Sequence, residues 1–150
     1  MATHLAVYGT LRRGGRLHHH LGTAVQRARF AGTATVHGVL HEVAPAVRDT
    51  SVIDTSYPCL TVDAPGRVVV EVYEVLDPTL LAHLDAVEGY DPHDFAGSEY
   101  HRVRVPVHDV SPATPGIDEA WTYVYVLEPP DPARRIVGGD WIAHTRARPS

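Results

Sequence analysis

Residues 4–8 read His-Leu-Ala-Val-Tyr, a short apolar run that stops at Gly9 and predicts a first strand. Residues 9–15 are polar and Gly-rich and read as a loop. In residues 16–26, Leu17, Leu21 and Val25 recur every fourth position, the spacing of one or two helical turns. Residues 30–43 carry Val36, Val39, Leu40 and Val43 around interior glycines, which suggests two strands or one strand bent at Gly38. Residues 44–58 read as loop and 60–62 as a short strand. Residues 67–76 give the clearest strand, with Val68, Val70 and Val72 on one face and Val69, Glu71 and Tyr73 on the other. The main helix follows. Asp77 suits its N-cap and Pro78 its first turn. Leu80, Leu81, Leu84 and Val87 form its apolar stripe, and Gly89 ends it. Residues 90–98 read as loop, 100–110 as an alternating strand with Val103, Val105 and Val107 opposite Arg102 and Arg104, and 121–127 as a further strand. A Pro-rich turn over 128–134 and a short element over 136–142 complete the pattern.

Six or seven strands, one main helix and no βαβ rhythm indicate an α+β fold, with a mixed, largely antiparallel sheet curled over the helix. A length of 150 residues suits a single domain, 1–150. No run approaches the ~18 apolar residues of a membrane span, and the first residues do not form a signal peptide. The expectation is a cytoplasmic protein without a membrane partner.

Charge changes the picture more than hydropathy does. All 13 cationic side chains are Arg and the chain has no Lys. That excludes a Schiff-base lysine and a P-loop lysine. One cysteine, Cys59, excludes an internal disulfide, a CxxC pair and a multi-cysteine zinc site. The net charge of −5, with the Arg residues scattered, argues against a nucleic-acid partner. Of the 11 histidines, His18, His19 and His20 are adjacent and so point different ways. His37 and His41 would share a strand face without a clear third ligand. No metal site is expected.

Two places hold candidate chemistry. After the first strand, Tyr8-Gly9-Thr10-Leu11-Arg12-Arg13-Gly14 turns at a glycine that bares backbone N–H groups, a cradle for a carboxylate or oxyanion. At the end of the helix, Glu88 faces the negative end of the dipole. An anion there, especially a buried one, is pushed toward the proton affinity of a general base. Tyrosines and tryptophans are mostly core material, and one or two tyrosines could line a pocket.

Taken together, the two motifs resemble the gamma-glutamylcyclotransferase-like family, most closely its small bacterial members and the gamma-glutamylamine cyclotransferases. The strand-end loop and Leu84-Asp85-x-x-Glu88-Gly89-Tyr90 carry the resemblance. Further matches keep their order: Tyr57-Pro58-x-Leu60, Glu71-Val72-Tyr73, Tyr100-His101-Arg102-x-x-Val105, Tyr123-Val124-Tyr125 and Gly138-Gly139-Asp140-Trp141. The likeness spans about residues 4–142. It implies a small β-barrel-like sheet with helices against it. It also implies a cofactor-free cyclotransferase, in which the α-amine of a gamma-glutamyl group attacks its own γ-carbonyl and releases 5-oxoproline and a free amine or amino acid. Glu88 would be the general acid/base. Tyr8, Gly9, Thr10 and Leu11 would hold the glutamyl group, with Tyr57, Pro58, Tyr100 and Tyr125 completing the substrate site. The partner implied is a small gamma-glutamyl molecule, and neither metal nor cofactor is required.

The sequence departs from the family pattern at Arg12, where relatives often have Lys, at Arg16-Leu17-His18-His19, where they often have Asn-His, and at Val70, where a glycine is common. An Arg12 pointing to solvent would make Arg12→Lys nearly neutral, whereas one on the substrate would raise KM on that change. The acids of the loop after the helix, Asp91, Asp94 and Glu99, would favour a cationic leaving amine. Alternative readings are a non-catalytic small-molecule-binding module on the same fold, and a secondary-metabolism enzyme that removes a gamma-glutamyl protecting group. Exact substrate, pathway and oligomeric state are not set by the sequence.

Overall fold

The computed structural model describes residues 3–13, 15, 18–22, 27–43, 47–48, 51–52, 57–62, 66–88, 90–91, 93, 100–111, 117–125, 134–136 and 138–146. The strands are β1 (His4–Val7), β2 (Ala28–His37), β3 (Val39–Val43), β4 (Val47–Arg48), β5 (Ser51–Val52), β6 (Tyr57–Thr61), β7 (Arg67–Val75), β8 (Tyr100–Pro106), β9 (His108–Ser111), β10 (Glu119–Tyr125) and β11 (Arg134–Arg135). The helices are α1 (Leu80–Glu88) and α2 (Trp141–Arg146), and a 3-10 turn covers His18–Leu21.

Six strands form the main sheet in the order β8-β10-β1-β7-β2-β9. All its pairings are antiparallel except β1 with β10. Its two edges, β8 and β9, are consecutive in the chain and meet at Pro106, which cannot donate a ladder hydrogen bond. The sheet therefore curls toward closure without a continuous ladder. A second sheet, β11-β3-β6, and the β4-β5 hairpin complete the strands. This is the mixed, mainly antiparallel sheet with one main helix that the pattern predicts, although the sheet is curved rather than closed into a barrel.

Period-two alternation builds a core on each face. Ala6, Val68, Val70, Val72, Ala120 and Val124 join Leu40, Leu60 and Trp141 on one face. Leu5, Val7, Tyr73 and Tyr123 join Leu80 and Leu84 of α1 on the other. Both faces of β7 are covered, so Glu71 and Tyr73, expected on a mixed face, are buried. Helix α1 begins as its sequence predicts. Asp77 accepts the Thr79 N–H with its carboxylate (2.9 Å) and the Leu80 N–H with its carbonyl (3.0 Å). At the other end the Tyr90 N–H donates to the Asp85 carbonyl (2.8 Å), the 6→1 bond of a Schellman ending. Gly89 itself lies outside the described residues.

Several boundaries differ from the sequence expectation. The stretch 44–58, expected as loop, contains β4 and β5 and the start of β6. The strand expected over 100–110 is two strands, broken after Pro106. The element expected over 136–142 is the entry to α2, preceded by β11. The helical turn expected over 16–26 is the 3-10 turn at His18–Leu21, while Leu17 and Val25 lie outside the described residues.

Candidate active site

Glu88, the last residue of α1, is half-buried. The sheet brings it to the strand-end loop, where its charge is felt at Tyr8 and at Tyr123. Burial pushes the Tyr8 phenol well above its ordinary range, and Glu88 adds to the effect. Burial likewise raises Tyr123, with further contributions from its hydrogen bond to Asp85 and from Glu88. Both phenols are held protonated. The Tyr8 hydroxyl donates to the Tyr123 carbonyl (2.7 Å), which ties the end of β1 to β10.

The loop itself is a built turn. The Arg12 N–H donates to the Gly9 carbonyl (3.0 Å), and the Gly15 N–H to the Arg12 carbonyl (2.8 Å). Gly9 is required for packing, because a Cβ there would overlap the Pro58 ring. The Tyr100 hydroxyl in turn donates to the Pro58 carbonyl (2.9 Å), fixing that ring against the loop. The Leu11 side chain is buried beneath it. Tyr8, Gly9, Thr10, Leu11, Pro58, Tyr100 and Glu88 thus lie in one connected region. Tyr57 and Tyr125 are described only as backbone, at the start of β6 and the end of β10.

Arg12 is the residue whose role the sequence does not reveal. It is buried, not solvent-facing. Its Nε donates to Glu71 Oε2 (3.1 Å) and its Nη1 to Asp140 Oδ1 (2.7 Å). Glu71 Oε1 also accepts the Arg13 N–H (2.9 Å) and the Tyr73 hydroxyl (2.9 Å). Asp140 caps α2 through the Ala143 N–H (3.1 Å). Gly139 places Asp140 with φ of 65°, where a Cβ would strike the Arg67 carbonyl. The signal available in the sequence is an acid, Glu71, between two core valines.

Cys59 is fully buried beside this region, and burial pushes its thiol up to about 11. Iodoacetamide at pH 8 should therefore leave the native protein unmodified and label Cys59 only after denaturation. Rapid stoichiometric alkylation of native protein would contradict the placement.

The histidines distribute differently from expectation. His37 ends β2 and stacks on His108 of β9 (4.4 Å between rings), whereas His41 sits on β3 opposite Cys59. The two do not share a strand face. His20 Nδ1 and His83 Nε2 are hydrogen-bonded at 3.0 Å. Among the described residues no three His, Cys, Asp or Glu side chains gather as a metal-holding group, and no helix is long and apolar enough to cross a membrane. Of the acids expected to wall a leaving group, Asp91 is exposed and accepts the His93 N–H (2.9 Å). Asp94 and Glu99 lie outside the described residues.

A family model described as gamma-glutamyl cyclotransferase, AIG2-like, matches residues 5–143. Among solved structures, an uncharacterised protein of Pyrococcus horikoshii is similar at 23% identity with a TM-score of 0.63, covering 98% of this chain and 99% of that one. A uropathogenic Escherichia coli-specific protein is similar at 20% identity and a TM-score of 0.63, covering 99% of each chain. An AIG2-like protein of Mus musculus is 28% identical with a TM-score of 0.51, covering 87% of this chain and 80% of that one. No curated protein matches.

Proposed function

The chain belongs to the gamma-glutamyl cyclotransferase, AIG2-like family, and from that premise we propose that it converts a gamma-glutamyl amine or amide to 5-oxoproline and a free amine. One observation carries the reading: α1, which ends in Glu88, packs Leu80 and Leu84 into the same core as Leu11 of the strand-end loop and Tyr100, and the Glu88 charge reaches Tyr8 and Tyr123.

The chemistry asks little of the protein beyond placement and one proton carrier. The α-amine attacks the γ-carbonyl of the same molecule, a C–N bond forms, the γ-amide C–N bond breaks, and a five-membered lactam results. Such ring closure has a high effective concentration once the chain is held bent. The Thr10 and Leu11 amides would hold the substrate carboxylate, which an all-Arg protein can do without a lysine. The attacking amine is largely protonated at neutral pH, so a base is needed. Glu88 would take that proton and deliver it to the departing nitrogen. A carboxylate at the negative end of a helix suits a group that must accept a proton. The Tyr8 hydroxyl is already engaged by Tyr123, so Tyr8 serves the site by fixing the loop.

The test is release of 5-oxoproline from a panel of gamma-glutamyl amines, gamma-glutamyl dipeptides and glutathione. Release from at least one class supports the reading. Binding of such compounds without release from any would favour the non-catalytic module. Gly9→Ala should raise KM about tenfold or more, because the added methyl displaces the turn from Pro58. It should lower stability by about 1–3 kcal/mol. An unchanged KM would remove the loop from the substrate site.

A further inference from the structure

Asp85 precedes Glu88 by three residues, so both lie on one side of the last turn of α1. Asp85 is buried. Its Oδ1 accepts Arg102 Nε (2.9 Å) and the Tyr123 hydroxyl (2.7 Å), and its Oδ2 accepts Arg102 Nη2 (3.2 Å). Arg102 and Tyr123 are directly opposed in the β8-β10 register, so two neighbouring strands converge on one helix carboxylate. The Arg102 guanidinium also lies over the Trp121 ring (5.0 Å), which holds it in place. Helical packing alone does not call for this: the apolar stripe already buries Leu80 and Leu84. The ion pair instead fixes the end of the helix, where Glu88 stands.

Among the described residues, titratable groups from several elements gather near the end of α1. Tyr8, which follows β1, and Tyr123 of β10 feel the Glu88 charge, and Cys59 of β6 lies by Tyr8; all three are held neutral near pH 7. Tyr90, beyond the helix end, packs on His101 of β8 (5.6 Å). Asp85 and Arg102 supply opposite charges that balance.

We propose that the Asp85–Arg102 ion pair is the positioning device for Glu88, fixing the end of the helix and, by its charge balance, setting the pH range in which Glu88 exchanges protons. The proposal rests on the reading of Glu88 as acid/base. Removing either partner leaves the other's charge beside Glu88, with opposite consequences. Asp85→Asn leaves a net positive charge and should move the acidic limb of the kcat/KM–pH profile down by about one unit. Arg102→Gln leaves a net negative charge and should move it up by about one unit. The double variant should return the limb toward the wild-type position while kcat stays low. Arg102→Lys keeps the charge but not the two-pronged bond. It should hold the limb in place and lower kcat about tenfold with KM nearly unchanged.

The experiment is the pH profile of 5-oxoproline release for these variants, paired with a carbon NMR titration of the Glu88 carboxyl, which needs no turnover. Opposite shifts in both readouts support the proposal. Shifts that are absent or share one direction would overturn it, because a merely structural bridge lowers stability without separating the two signs. If Arg102→Gln does not fold, a downward shift of both readouts in Asp85→Asn together with no shift in Arg102→Lys supports the proposal, and any other pattern overturns it. Opposite NMR shifts in a protein that releases no 5-oxoproline would retire the catalytic reading and keep the coupling. A Glu88-dependent limb that ignores the variants would do the reverse.

Discussion

Arg12→Ala should destabilise the protein by about 3–5 kcal/mol, because it leaves Glu71 buried without its counter-charge and frees Asp140 from the loop. For a chain of this length that corresponds to a melting temperature lower by roughly 6–20 °C. Arg12→Lys should also be costly, by about 1–2 kcal/mol, since an ammonium cannot reach Glu71 and Asp140 together as the guanidinium fork does. Thermal unfolding of the three proteins checks this. A melting temperature unmoved by Arg12→Ala, with a raised KM, would mean that Arg12 holds substrate instead. The pH dependence follows from Asp140. Burial alone would raise its carboxyl, but the Ala143 N–H and Arg12 outweigh that and hold it below the usual carboxylate range. A depressed native value means that its share of stability is present above about pH 4 and is lost as the pH falls further. Arg12→Ala should reduce that share.

The sequence makes local features legible and long-range ones much less so. Asp77, Pro78 and the leucine stripe specify α1 within a few residues, and capping chemistry is local by nature. Val68, Val70 and Val72 specify β7 for the same reason. The pairing of β1 with β10 joins residues more than a hundred positions apart, and periodicity carries no trace of it. Likewise the partners of Arg12 lie 59 and 128 residues away, so the sequence leaves solvent and substrate both open for this cation until the sheet is assembled. Glu88 and the strand-end loop are legible as separate motifs. What the sequence hides is the bracing between them: Tyr8 on Tyr123, Tyr100 on Pro58, and Asp85 on Arg102. The short strands β4 and β5 were also illegible, because two-residue strands leave no periodic signature.

Glu88→Gln carries the largest expected effect on turnover. Gln keeps the size and polarity of the side chain but can neither take the ammonium proton nor return it to the leaving nitrogen. Loss of a positioned acid/base costs about 10²–10⁴ in rate. Substrate affinity should be little changed, because the cradle is backbone. Stability should be equal or slightly higher, since an anion in the last helical turn opposes the helix dipole. Loss of activity would then occur in a fully folded protein, separating this change from Arg12→Ala. The most direct test is 5-oxoproline release by wild type and Glu88→Gln, side by side, on the best gamma-glutamyl substrate of the panel, with melting temperatures measured in parallel. With Glu88 as the proton carrier, the wild type releases 5-oxoproline and the variant falls by at least about a hundredfold at an unchanged or higher melting temperature. Near-full release by the variant would contradict that role.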